Sequence, residues 1–350
     1  MSTVIRSTPV AEATGPPRLR PLVATRTALR WAFAANKPLA VAGSLFALAF
    51  VGTLVGVAVD RTVITGAPAW IKPAKFMISS AIYTLTLIGM LGFVRGRGRL
   101  VGAASWITAV GLVVEDAIIA VQAYRGTMSH FNLTTPLNAR LLSVMAVMVV
   151  GLWGGCFLVG IALLLQRGLD RPVAWALRFG VLLALVGMSI AFFMLTPTAA
   201  QLTAFQAGQG LPMVGGHTVG RGEGGPGLPF LGWSTVAGDL RVAHFVGLHG
   251  LQVVPLVAFF VTRRPRNATK GTQTALVTVA GMAWLGLDLL LAWQALRGQS
   301  VVRPDALTLG AAATLVAATA LAALAVLGRA RRGAAADAVD AVDATAGTVG

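Results

Sequence analysis

The chain has 350 residues, of which 56% are hydrophobic and 11% charged, with a mean hydropathy of +0.77. Soluble domains carry about 25% charged residues, so long stretches of this chain lie in a solvent that penalises charge, which is lipid. The formal net charge of +16 does not point to nucleic acid: Arg and Lys fall in short clusters between apolar runs, as in loops facing anionic headgroups, and no basic stripe with interleaved aromatics is present. The single cysteine, Cys156, lies in an apolar run; it excludes an intrachain disulfide and reads as a small packing residue.

Residues 1–36 read as a basic cytoplasmic segment. Pro16, Pro17 and Pro21 mark its polar lead, and residues 22–35 predict a short helix at the headgroups with Arg26, Arg30 and Trp31. That lead is too long for an ordinary signal peptide, and a full span follows it. Eight apolar segments then predict membrane helices near 38–59, 71–94, 100–123, 138–165, 173–195, 241–262, 271–296 and 306–328, each close to the ~20 residues that cross a bilayer. Residues 196–240 form a long loop with eleven glycines between Gly208 and Gly238. It lacks a GK[ST] phosphate signature and reads either as a flexible linker or as a lid, since structureless loops of this length are uncommon without function. Residues 331–350, with the low-complexity run DAVDAVDA, read as a disordered cytoplasmic tail.

Charge sets the orientation. Basic residues cluster before the first span (Arg6, Arg18, Arg20, Arg26, Arg30, Lys37), after the second (Arg95, Arg97, Arg99), after the fourth (Arg167, Arg171), after the sixth (Arg263, Arg264, Arg266, Lys270) and after the eighth (Arg329, Arg331, Arg332). With eight spans these regions share one side, and the positive-inside rule puts both termini in the cytoplasm. Arg far outnumbers Lys, and Ala, Gly and Val are abundant. That bias suggests a high-GC bacterial genome and hence a bacterial plasma membrane.

An internal match divides the chain. Asp116 to Gly126 (DAIIAVQAYRG) aligns with Asp288 to Gly298 (DLLLAWQALRG), six of eleven positions being identical. Asp, Gln, Arg and Gly are not what apolar composition supplies by default. The same offset sets Gly66 on Gly238 and Lys72 on His244, and Lys37-Pro38 corresponds to Arg171-Pro172. The reading is an all-α polytopic protein built from two four-helix repeats, residues 37–168 and 169–330. An even number of spans keeps the repeats parallel, related by an axis along the membrane normal.

Ionisable residues inside spans are functional candidates because lipid makes them costly. Asp116 stands nine residues before Arg125 and Asp288 nine before Arg297, each ~13 Å below its helix end. His249 follows Asp239, a candidate N-cap, by ten residues, or ~15 Å. These three are expected to meet at one level and line one cavity. Glu115 and Gln122 share a helical face; Lys72 and Lys75 open the second span around Pro73, which a first turn tolerates. Arg241, His244, His249 and Gln252 form one broad arc of the sixth span, and Gln294 and Arg125 stand at helix ends. His130 and Asn132 lie in the loop after the third span, and His217 in the glycine-rich loop. Several of these also have a structural reading. Lys72, Lys75, Arg125, Arg140, Arg241 and Arg297 are able to snorkel to headgroups, and the two aspartates to pair with neighbouring helices. The metal-ligand candidates are His130, His244 and His249, but His244 and His249 lie about 140° apart on a helix and no HExxH or CxxC spacing occurs. Gly52-xxx-Gly56 and Gly151-xxx-Gly155 read as close helix contacts.

The segments WIKPAKF (70–76), QAYRGTMSHFN (122–132) and GDLRVAHFVGLHGLQ (238–252) resemble an uncharacterised family of bacterial polytopic integral membrane proteins. The resemblance covers most of residues 38–265 and implies a multi-pass fold but no activity. Three functions compete. A small-solute or proton-linked transporter fits the repeat and the midplane acids. A membrane-embedded metal- or haem-binding enzyme or redox protein fits the one-sided histidines. A sensor would bind a small ligand from the outer side without turnover. No cofactor is specified, and the expected partners are membrane lipids rather than nucleic acid.

Overall fold

The computed structural model describes residues 21–263 and 268–346, with side chains over 26–263 and 268–335. Ten helices follow in order among the described residues. They are α1 (Pro21–Ala35), α2 (Lys37–Val59), α3 (Ile71–Leu91), α4 (Gly98–Tyr124), α5 (Pro136–Leu164), α6 (Arg171–Met194), α7 (Ala199–Gln206), α8 (Leu240–Arg263), α9 (Lys270–Leu296) and α10 (Ala306–Ala346). Eight of them, all but α1 and α7, are long and apolar enough to cross a membrane, and all eight predicted spans fall on them. The protein is an all-α, multi-pass membrane protein whose helices contact lipid. Large apolar side chains point outward accordingly, such as Leu48, Val51 and Val55 on α2 and Val316, Leu321 and Leu324 on α10. The basic positions before residue 21, together with Arg264 and Arg266, lie outside the described residues.

Local chemistry fixes the helix starts. Asn36 caps α2 by accepting the Leu39 N–H at 3.2 Å, and Thr135 caps α5 by accepting that of Asn138 at 3.2 Å. In both, proline stands at the first turn, where the missing N–H costs nothing. Helix α1 docks on α2 and α3 through Ala32, which is buried.

Packing follows the same order in both parts of the chain. Helix α2 packs on α3, both touch α4, and α4 packs on α5; α6 packs on α8, both touch α9, and α9 packs on α10. The α5–α6 contact joins the two sets. The closest approach is α6 on α8. A Cβ built on Gly187 would lie 2.9 Å from the Gly247 Cα, and one on Gly250 would lie 2.5 Å from the Leu183 Cβ, so small residues bring the backbones together. The sequence placed such contacts at Gly52 and Gly56. Gly52 instead faces open space and Gly56 receives the Trp70 ring; spacing of glycines alone does not say which face meets a neighbour. Gly155 does approach α4, at Ala104 and Thr108.

The two ends of the bundle differ. At one end the loops and adjoining helix starts carry Arg95, Arg97, Arg99, Arg167 and Lys270. The Arg95 N–H donates to the Gln166 Oε1 at 2.9 Å, the Arg97 guanidinium to the Leu165 carbonyl at 2.9 Å, and Lys270 pairs with Asp170 at 2.8 Å. At the other end residues 196–240 fold into a cap rather than a free linker. Helix α7 is fixed by a reciprocal capping box of Thr198 and Gln201. Strands β3 (Thr218–Val219) and β4 (Gly238–Asp239) pair antiparallel, as do β1 (Val63–Ile64) and β2 (Ala67–Pro68) in the α2–α3 loop. The Val214 N–H donates to the Phe131 carbonyl at 3.0 Å, and that of Leu133 to Pro212 at 2.8 Å, so the cap is laced to the α4–α5 loop. Gly238 sits so close to the Ala295 carbonyl that no side chain fits there.

The chain also differs from expectation after residue 330. Helix α10 runs on to Ala346 through most of the stretch read as a disordered tail, because alanine, its commonest residue, is the best helix former. Residues 347–350 lie outside those described.

Candidate functional site

The capped end gathers most of the candidates. Glu115 on α4, Lys72 on α3 and His130 in the α4–α5 loop form a chain of contacts. The Lys72 ammonium lies 3.0 Å from the His130 Nδ1, and the Nε2 lies 3.3 Å from the Glu115 Oε1. As an ammonium Lys72 only donates, which makes Nδ1 the acceptor and leaves the proton on Nε2, facing the Glu115 carboxyl. In that arrangement the imidazole is neutral. Burial, and after it the charges of Lys72, His217 and His244, holds the His130 pKa well below the ordinary histidine value, consistent with that tautomer. The Ser129 hydroxyl also lies 3.0 Å from Nδ1. Phe76 and Phe131 flank the ring, each centroid 6.0 Å away.

The cap adds a second pair. His217 Nδ1 lies 2.9 Å from the Glu223 Oε2. The other carboxylate oxygen accepts the backbone N–H groups of His217 and of Thr218. Burial opposes charge on Glu223, but these hydrogen bonds outweigh it and hold the carboxyl well below its ordinary range. Burial likewise lowers His217. The Phe131 ring packs edge-on between the two histidine sites, 4.8 Å from His217. His244 comes near this group, but its Nδ1 lies 2.8 Å from the Gly187 carbonyl on α6.

Other candidates hold this arrangement in place. Gln122 donates to the Met128 carbonyl at 3.2 Å and to the Asn138 Oδ1 at 3.1 Å, and Arg125 reaches both Gln122 and Asn138. Asn132 donates to Thr127 and to the Met128 carbonyl, at 2.9 Å each. These three residues shape the loop that presents His130. Gln294 donates to the Ser300 carbonyl at 3.0 Å and Arg297 pairs with Asp305 at 2.5 Å, so the α9–α10 loop is held in the same manner. Asp239 accepts from the Ser234 N–H at 2.8 Å and from Arg241, which also donates to Gly232; Lys75 donates to the Leu231 carbonyl at 3.1 Å. Asp239, Arg241 and Lys75 thus fasten the cap.

Below this cluster the expectation of one shared cavity fails. Asp116 and Asp288 are 1% and 0% exposed, but Asp116 faces Ser80 on α3 and Asp288 faces Gly247 on α8, in separate helix packages. His249 is exposed. It lies two residues beyond Gly247, a rotation of about 200° on a helix, and so turns away from Asp288. Its Nδ1 is 3.4 Å from the Gln252 Oε1, and Gln252 donates to Thr86 on α3 at 3.2 Å. The proposed arc of Arg241, His244, His249 and Gln252 accordingly divides between two faces. The metal candidates also separate: among the described residues no three His, Cys, Asp or Glu side chains are placed to hold a metal ion.

Sequence reasoning missed Glu223, Ser129, Asn138 and the Gly187–Gly247 contact. Glu223 stands six residues after His217 in the glycine-rich loop, and only the loop's turn geometry joins them. A further buried contact, from the Asn36 amide to the Ser105 hydroxyl at 2.6 Å, ties the α1–α2 junction to α4.

The two pairs make stability depend on pH. The folded pKa of His130, His217 and Glu223 is lowered, so their contribution is complete above the unfolded values, about 6.5 for histidine and about 4.3 for glutamate. It is lost as pH falls through the folded ones, because the unfolded chain takes up protons that the folded one refuses. The thermal midpoint in detergent, read by tryptophan fluorescence, is expected to fall between about pH 7.5 and about pH 5.5. His130→Gln is expected to flatten that slope; an equal slope in the variant would remove His130 from the account.

Compared with known proteins, the chain matches no family model, no curated protein and no solved structure.

Proposed function

We propose that the protein is a secondary transporter of a bacterial plasma membrane, with the capped end outside and both termini in the cytoplasm. Its solute would enter from the outer side towards the Lys72–His130–Glu115 chain. The observation that carries this reading is that chain itself: an ammonium, an imidazole and a carboxylate aligned under a folded cap, at the end of the bundle opposite the basic loops. Basic loops at the other end favour the orientation.

Two parallel four-helix repeats complete the reading. Supporting it, helix neighbours recur in the same order in residues 37–168 and 169–330. Both α4 and α9 are 27 residues long. In both, a glutamine near the C-terminus donates to the carbonyl six residues on, Gln122 to Met128 and Gln294 to Ser300. In both, a glycine with positive φ follows the arginine cap, Gly126 at 66° and Gly298 at 73°. Parallel repeats carry the substrate site between them and alternate its access by rocking.

The test needs no known solute. In a Cys156→Ala background, Ser80→Cys places a thiol at a position that is buried in this conformation. Alternating access predicts that a membrane-impermeant maleimide reaches it from either face of sealed vesicles. Labelling from neither face, or from one face alone, would overturn the transporter reading.

A further inference from the structure

Asp116 and Asp288 are unlike every other acidic group described. None of their four carboxyl oxygens has a hydrogen-bond partner, although both residues are buried. The other acids with buried oxygens each have at least one oxygen engaged, although the Glu115 Oε2 has no partner. Asp239 accepts from Ser234 and Arg241, Glu223 holds His217, and Glu115, the chain neighbour of Asp116, points its Oε1 to His130 instead. Buried polar groups in native proteins are satisfied as a rule, and each exception calls for an explanation.

These two carboxyls, the ones with both oxygens unpartnered, occupy equivalent places. Asp116 stands eight positions before Tyr124, the last residue of α4, and Asp288 eight before Leu296, the last of α9. That is ~12 Å from the helix end, well inside a ~30 Å hydrocarbon layer. Each abuts the second helix of its set: Asp116 the Ser80 hydroxyl, Asp288 the Gly247 backbone, neither at hydrogen-bonding geometry. Among the described residues no basic side chain pairs with either. A lone carboxylate at such depth is strongly disfavoured, and chemistry offers one small counter-charge that needs no cavity and no coordinating groups, a proton on the carboxyl itself.

We propose that Asp116 and Asp288 are the exchangeable-proton sites of the two halves, so that the coupling ion is H+. This rests on the transporter reading above. Each carboxyl takes a proton from water on one side and returns it to water on the other; no other bond is made or broken. A proton also suits the packing better than a metal cation: the Gly247 contact leaves Asp288 Oδ2 only 2.8 Å from where a single added Cβ would stand, too tight for a coordination shell.

Dicyclohexylcarbodiimide tests this directly, because the apolar reagent enters lipid and reacts with a protonated carboxyl to leave a stable acylurea. Purified full-length protein in liposomes at neutral pH is treated, digested and mapped by mass spectrometry. Adducts are expected on Asp116 and on Asp288. Asp116→Asn and Asp288→Asn should each lose only their own adduct and keep the thermal midpoint, since the amide mimics the neutral acid. Absence of both adducts while exposed carboxyls react would overturn the proposal. So would protection by sodium at constant pH, which would make these sodium sites. Adducts on both aspartates with Ser80→Cys closed to one face would leave the proton sites standing and remove transport.

Discussion

Lys72→Met is expected to destabilise the protein by about 1–3 kcal/mol, less than the ~3–5 kcal/mol of a fully buried charged set because Lys72 and His130 are only partly buried. The substitution keeps an unbranched apolar stem but removes the ammonium that His130 Nδ1 faces at 3.0 Å and that lies 5.9 Å from the Phe76 ring centroid. Glu115, 4% exposed, then faces only the neutral imidazole and no cation. Glu115→Gln alone leaves the ammonium uncompensated in the same way. The double variant Lys72→Met/Glu115→Gln removes both charges and is expected to recover most of the loss, giving a coupling energy of about 2 kcal/mol or more. Unfolding in mixed detergent–SDS micelles measures all four corners of the cycle. Additive losses would mean that the ammonium and the carboxylate do not sense one another through His130.

Gly247→Ala produces the second large effect, and its sign is informative. In an unobstructed helix this change stabilises by up to about 1 kcal/mol, because alanine is the better helix former. At Gly247 the new Cβ would lie 2.5 Å from the Gly187 Cα and 2.8 Å from the Asp288 Oδ2. Both neighbours are fixed, one as backbone and one as a buried side chain, so α6 and α8 must separate. The expected result is a loss of about 1–3 kcal/mol from overpacking, read as a drop in thermal midpoint. Gly310→Ala on α10 supplies the control: nothing lies within 4 Å of its added Cβ, and the variant is expected to be neutral or slightly more stable. Equal behaviour of the two variants would rule out a close α6–α8 crossing.

Hydropathy alone locates all eight spans, because lipid imposes one simple requirement on every residue of a ~20-residue run. The sites were legible only in part. Lys72, Glu115 and His130 stood out as ionisable groups in the outer half, and they do meet, since the first turn of α3 and a short loop bring Lys72 and His130 over the α4 position of Glu115. Glu223 did not stand out. Its partner is set by turns in a glycine-rich loop that no periodicity describes. His249 was misplaced for a different reason. Depth along a helix follows from counting residues, but facing depends on which neighbours surround the helix, and the sequence does not state them. Gly187 and Gly247 illustrate the same limit: their meeting depends on how α6 crosses α8, whereas Gly52, which carries the familiar spacing, meets nothing.

Helix α10 begins beside the cap, where Asp305 accepts from the Thr308 N–H at 2.8 Å, and continues for 41 residues. At 1.5 Å per residue that is ~60 Å, about twice the hydrocarbon thickness of a bilayer. The far half therefore stands clear of the lipid as a rod on the face opposite the cap. A fluorophore or affinity handle attached near Ala346 would sit roughly 30 Å from the hydrocarbon boundary, beyond headgroup interference and far from the capped site, which makes that stretch the natural point from which to immobilise the protein.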